Sequence, residues 1–117
     1  MLNRAVVLLC ATLAATSAFA QFPNKPVRMV VGLPAGSAAD TLARIVAQGL
    51  SESLRQPVIV ENKPGAEMAI AAEAVRDAAA DGYTIAMFEF SSMVMTPLMN
   101  KVTFDSRRDF APISLVG

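Results

Sequence analysis

Apolar residues fill positions 5–15 with a single interruption at Thr12, and from residue 27 onward they recur with the periods of strands and helices. Phe22-Pro23-Asn24-Lys25-Pro26 cannot be helical, because two prolines fix its backbone. It leads into Val27-Arg28-Met29-Val30-Val31-Gly32, which reads as a buried strand. A Pro/Gly/Ser loop occupies 33–39. Leu42, Ile45, Val46, Gly49, Leu50 and Leu54 then recur at helical spacing, with Arg44, Gln48, Glu52 and Arg55 on the other face, which predicts a helix over 38–54. Gln56-Pro57 stops it, Val58-Ile59-Val60 is a second strand, and Asn62-Lys63-Pro64-Gly65-Ala66 is a turn. In the next helix Ile70, Ala71, Ala74, Val75 and Ala78 form the inward stripe, Glu73, Arg76 and Asp77 the wet face, and Asp81-Gly82 the C-terminal stop. Residues 83–88 read as a third strand and 91–99 as a short helix despite Pro97. Met87, Met93, Met95 and Met99 are expected to fill core space.

Strand, helix, strand, helix, strand at this spacing is the pattern of a parallel sheet with right-handed crossovers, so the fold class is α/β. In such a sheet a ligand sits beyond the carboxyl ends of the strands, where the strand order reverses. If the first strand lies between the second and third, the loops 33–40 and 88–92 face each other across that point. Small residues at Pro34-Ala35-Gly36-Ser37 let backbone amides at the helix start approach a ligand, and those amides plus the helix dipole favour an anion such as a carboxylate. A second reading makes Ser37 the N-cap and Asp40, three residues on, its partner in a capping box with Asp in place of Glu. The two are compatible, since a capped start still presents its remaining amides.

Composition narrows the chemistry. The 117 residues carry 10 Lys plus Arg against 10 Asp plus Glu, with no His and one Cys. A balanced charge lacks the basic excess of a nucleic-acid binder. Without imidazole, Ser-His-Asp and Cys-His catalysis and His-based zinc sites are excluded within this chain. No catalytic residue, metal or cofactor is expected, and the chain does not read as an enzyme. The apolar run at 5–15 follows a basic Arg4 and precedes Ala18-Phe19-Ala20, a small-x-small cleavage site. It is shorter than the ~20 residues of a membrane-spanning helix. Residues 1–20 therefore read as a secretory signal peptide cleaved after Ala20, which removes Cys10 and leaves 21–117 as one small exported domain held by an ordinary core.

The motifs Phe22-Pro23-Asn24-Lys25-Pro26-Val27-Arg28, Pro34-Ala35-Gly36 with Asp40, Gln56-Pro57-Val58, Glu61-Asn62-Lys63-Pro64-Gly65-Ala66, Ala72-Glu73-Ala74-Val75, Asp81-Gly82-Tyr83-Thr84 and Asp109-Phe110-Ala111-Pro112-Ile113-Ser114 occur in an order that is specific as a set. In that order the chain resembles the periplasmic solute-binding proteins of tripartite tricarboxylate transporters, the Bug (TctC-like) family. The resemblance implies a periplasmic-binding-protein type II fold, a two-lobed Venus flytrap that captures a small carboxylate-bearing solute and passes it to membrane permease subunits. It implies ligand contacts at Pro34, Ala35, Gly36, Ser37 and Asp40, at Ala66, Glu67 and Met68, and at Phe88, Glu89, Phe90, Ser91 and Ser92. Members of the family continue past the Ile113-Ser114-Leu115-Val116 strand into a second lobe, so the chain reads as a partial N-terminal lobe, impaired in tight binding and prone to edge-to-edge association.

Two departures fall inside that site. Glu67-Met68 stands where the family has a glycine pair, and Phe88-Glu89-Phe90 where it has small residues. An unpaired carboxylate at about 5 Å from a ligand anion, at an effective dielectric of about 20, repels it by roughly 3 kcal/mol. A helix terminus usually supplies only ~0.3–1 kcal/mol. Either Glu67 and Glu89 turn to solvent or the ligand is not a plain dicarboxylate. Two rivals are a nucleotide-binding enzyme domain and an inactive secreted remnant. The first draws on Gly32, Gly36 and Glu61, but its glycine spacing fails the dinucleotide fingerprint.

Overall fold

A computed structural model describes residues 22–116; the signal-peptide reading of 1–20 lies outside the described residues. Within it β1 (Val27–Val31), α1 (Ala38–Leu54), β2 (Val58–Asn62), a 3-10 turn (Ala66–Met68), α2 (Ala69–Arg76), β3 (Thr84–Met87) and α3 (Phe90–Met99) follow in order. All three strands are parallel in the order β2-β1-β3, which puts β1 in the middle and meets the condition under which the loops 33–40 and 88–92 face each other.

The valines and methionine of β1, interrupted only by Arg28, suit a strand covered on both faces. Met29 and Val31 point with Val58, Val60, Ile85 and Met87 toward Ala43 and Ala47 of α1. Val30, wholly buried, lies on the opposite face, as does Gly32, against which Met68 packs at the entrance to α2. α1 and α2 therefore cover opposite faces of the sheet, and α2 meets β1 and β3. A second cluster joins Ala69 and Ala72 to Phe104, with Phe88, Met93, Val102 and Phe110 around it. Phe110 meets Phe88 and Phe104 edge to face, at ring separations of 6.3 and 5.7 Å.

Local chemistry sets the ends of α1. Ser37 caps its start, accepting the Asp40 amide at 3.2 Å, and Arg55 ends it in a left-handed conformation. Ser51 ties the last turn to the next strand: its hydroxyl donates to the Ala47 carbonyl at 2.7 Å and accepts the Val58 amide at 2.8 Å.

Several expectations are corrected. The inward face of α1 is centred on Ala43 and Ala47, with Val46 and Leu50 beside them, while Leu42 and Ile45 are exposed. Small alanines let the helix sit close to the sheet, and the larger side chains at its flanks are left outside. In α2 the buried residues are Ala69, Ala71 and Ala72; Ile70 turns outward over Gly65, and the helix ends before Ala78. The left-handed backbone of residues 66–68 turns the helix so that Met68 enters the core. β3 is trimmed to four residues, and Phe90 joins α3. Met87 and Met93 fill core space as expected, but Met95 and Met99 are exposed. Residues 113–116 form no strand, and Ile113 and Leu115 are more than four-fifths exposed because no strand among the described residues pairs with them.

Candidate functional site

The carboxyl ends of the three parallel strands release three loops at one edge of the sheet: residues 32–37 after β1, 63–68 after β2, and Phe88 with Glu89 after β3. The chain leaves β1 toward β2 on one side and returns to β3 on the other, so the order reverses between β1 and β3. That crevice is where an open parallel sheet binds ligands.

The loop after β1 is built around a turn in which the Ser37 amide donates to the Pro34 carbonyl at 3.2 Å. Gly36 takes φ +83, a region that glycine enters without strain. Pro34, Ala35 and Gly36 are exposed and Ser37 is half-buried. Both readings of the helix start meet here, with one change. Asp40 does reach back, but to the amide of Gly36 rather than of Ser37, at 2.8 Å. The Gly36 amide is thus taken up inside the protein. The amides of Ala38 and Ala39, in the first turn of α1, have no partner among the described residues and remain to meet an anion.

Asp40 is 3 % exposed and its carboxylate accepts three hydrogen bonds. Oδ2 accepts the Gly36 amide and Arg44 Nε at 3.0 Å, and Oδ1 accepts Asn62 Nδ2 at 2.9 Å. Hydrogen bonding from Arg44, then from Gly36 and Asn62, pulls its pKa down to about 2 against the opposing effect of burial. This group ties the loop to α1 and to the tip of β2. Asn62 closes the network: Nδ2 also donates to the Leu33 carbonyl at 3.0 Å, and Oδ1 accepts Arg44 Nη2 at 3.3 Å. Sequence reasoning did not single out Asn62 or Arg44 for the site. The available signal was a polar residue ending an otherwise apolar strand at the same sheet edge as the loop.

The second loop runs from Gly65 at φ +123 through Ala66, Glu67 and Met68, all with positive φ. Glycine is the residue that occupies such backbone without cost, which explains why a glycine pair suits this place and marks Glu67-Met68 as a strained departure. Ala66 is exposed. Met68 is buried against Gly32 and belongs to the core. Glu67 is held by α3: its carbonyl accepts Thr96 Oγ1 at 2.8 Å and its carboxylate accepts Asn100 Nδ2 at 2.9 Å.

In the third loop Phe88 packs on Phe110 and faces the core. Glu89 is exposed at the start of α3 and its side chain makes no capping bond. Phe90, Ser91 and Ser92 form the first turn of that helix, with Phe90 and Ser91 exposed and Ser92 half-buried. Glu61, the acid that a nucleotide-binding reading requires, is engaged by Lys63 Nζ at 2.8 Å and Arg28 Nη1 at 3.3 Å, and the Lys63 hydrogen bond holds its carboxyl below the usual range.

Residues 42–117 match the family model described as the tripartite tricarboxylate transporter family receptor. The chain belongs to this family. Among curated members, a UPF0065 protein of Bordetella bronchiseptica is 43% identical over 113 residues, covering 96% of this chain and 33% of its own length. The chain spans about a third of the length of the curated relatives it matches. Two solved structures carry carboxylates. MatC from Rhodopseudomonas palustris with bound malate is 33% identical, with a TM-score of 0.73 over 78% of this chain and 31% of its own. Rpa4515 of R. palustris with adipate is 37% identical, with a TM-score of 0.56 over 57% of this chain and 22% of its own. As a member of this family the chain has an α/β fold shared with periplasmic binding proteins, and the nucleotide-binding alternative is not favoured.

Proposed function

We propose that residues 21–117 supply one wall of a periplasmic carboxylate-binding site, in which the start of α1 grips a ligand carboxylate at the crevice between β1 and β3. The observation that carries this reading is the pair of unpartnered amides, Ala38 and Ala39, at the start of a 17-residue helix whose preceding loop is braced from behind by Asp40. The helix dipole adds to those amides, and both favour a negative charge. The Ser37 hydroxyl, which accepts the Asp40 amide, keeps its own proton to donate. Glu67 stands tied to Asn100, so its carboxylate is directed to α3, whereas Glu89 is exposed and free to repel an anion nearby. The chain acts as a receptor and carries out no reaction; delivery to membrane permease subunits and export by cleavage after Ala20 complete the proposal.

Calorimetric titration with malate, adipate and NAD tests it. The proposal expects heat from a dicarboxylate and none from NAD. Binding of NAD alone, or equal binding of all three, would refute it. Intact-mass analysis of a periplasmic fraction tests the export step: a product starting at Gln21 supports it, and Met1 retained on a cytoplasmic protein refutes it.

A further inference from the structure

We propose that Asn62 is the positioning residue of the ligand loop, fixing both ends of residues 33–40 from the tip of β2 without itself meeting the ligand. The inference rests on the reading that this loop and the start of α1 receive a carboxylate. Its basis is the double use of one nitrogen. Nδ2 of Asn62 donates to the Leu33 carbonyl, where the loop begins, and to the Asp40 carboxylate, where it ends. Asp40 in turn accepts the Gly36 amide at the loop's apex. Three points along the loop are thus referred to one side chain on a neighbouring strand.

The origin of that side chain is itself fixed. Asn62 is in register with Val31, and the next residue, Lys63, donates its amide to the Val31 carbonyl at 2.8 Å. The orientation of the amide follows from its neighbours. Arg44 Nη2 is a donor and faces Oδ1, while the two acceptors face Nδ2; the flipped amide would set its oxygen against a carbonyl and a carboxylate. Arg44 is the only charged side chain that the described residues bring to Asp40, and it lies on the outer side, half-exposed. Asn62 is the inner partner. Without it, a buried carboxylate would keep the arginine and lose its link to the sheet.

The test uses the full chain, its Asn62→Asp and Asn62→Leu variants, and three readouts: exchange of the Gly36 amide by nuclear magnetic resonance, titration of the Asp40 carboxyl, and calorimetric affinity for malate and adipate. Asn62→Asp removes both donors and sets a second carboxylate beside Asp40. The expected result is Gly36 exchange faster by at least about tenfold at pH 7, with protection partly regained toward about pH 4, where the introduced carboxyl gains a proton and can donate. Asn62→Leu should lose protection without that recovery. In both variants Asp40 should titrate higher than in the parent. At pH 7 affinity for whichever probe the parent binds should fall at least about tenfold. Unchanged Gly36 exchange and Asp40 titration, with only a lowered melting temperature, would overturn the proposal. So would lost protection with unchanged affinity. Should neither variant fold, the Asn62 side-chain amide of the parent decides: slow exchange at pH 7 supports the role, and exchange at the rate of a free amide refutes it. A parent that binds neither probe counts against the carboxylate reading, while the exchange data still judge Asn62.

Discussion

The side chain of Met68 occupies the space that a β-carbon on Gly32 would need, its Cγ lying 2.8 Å from that position. Gly32 closes β1 and Met68 closes the strained turn before α2, so this contact joins the first loop of the site to the second. It also explains how three consecutive residues can keep left-handed backbone. Met68 is 5 % exposed, and burying a side chain of that size yields roughly 1.5–3 kcal/mol, enough to offset much of the backbone cost.

Gly32→Ala should therefore be destabilising by ~1–3 kcal/mol, the usual cost of overpacking. The double variant with Met68→Ala should cost less than the two single changes added together, because the cavity left by one accepts the methyl of the other. Chemical denaturation of the four proteins measures that coupling. Additive losses would show that the contact is not shared.

At Glu67, with φ 51 and ψ 47, glycine relieves the left-handed strain. Glu67→Gly gives up a surface hydrogen bond to Asn100 but should still raise stability by ~1 kcal/mol. For a domain of this size that corresponds to a melting temperature higher by roughly 4–8 °C. A lower melting temperature would mean that the Asn100 link outweighs the strain.

Acid should loosen the site through Asp40. Its folded pKa of about 2 lies below the ordinary 3.8, so its carboxylate stabilises the folded chain above about pH 4. That contribution is lost as pH falls from 3.8 through about 2. Denaturant midpoints between pH 2 and 7 should fall more steeply in the parent than in Asp40→Asn, which carries no titrating group there. Parallel curves would show that Asp40 is not held by its partners.

Removal of the exposed carboxylate of Glu89 should help a ligand anion. Glu89→Gln is expected to raise malate or adipate affinity severalfold at low salt, with the gain shrinking near 1 M salt, where the Debye length is ~3 Å. A gain that persists at high salt would point to a contact made by the new amide instead of relief of repulsion.

Exposed apolar side chains at Ile113 and Leu115, with edge strands β2 and β3 on either side of β1, favour association between copies. Size-exclusion chromatography of residues 21–117 should show species larger than a monomer at high concentration. The pair Ile113→Asp and Leu115→Asp should shift them toward monomer. A parent that elutes as a monomer at every concentration would show that the tail is harmless.

Periodicity and turn chemistry determined the order and type of the elements in this protein. The bounds of α1 follow from Ser37 at one end and Gln56-Pro57 beyond the other, whereas the central place of β1 is set by its pairing with β2 and β3 in the fold. The loop after β1 was legible for the same reason, because Pro34, Gly36 and Ser37 carry local instructions. Family membership was legible in the ordered motifs. What the linear pattern could not assign was direction. Ile45 and Ile70 look like core residues and stand outside, because Ala43, Ala47 and Ala71 allow the closer approach to the sheet. Met68 looks like a loop residue and is core, since only the folded chain brings it to Gly32. The bracing role of Asp40 is likewise a product of the fold, since its partners Gly36 and Arg44 are local but Asn62 arrives from a strand 22 residues away. Local sequence fixes backbone preference over a turn or two of chain; which side chains meet across that distance is decided by the pairing of β1 with β2.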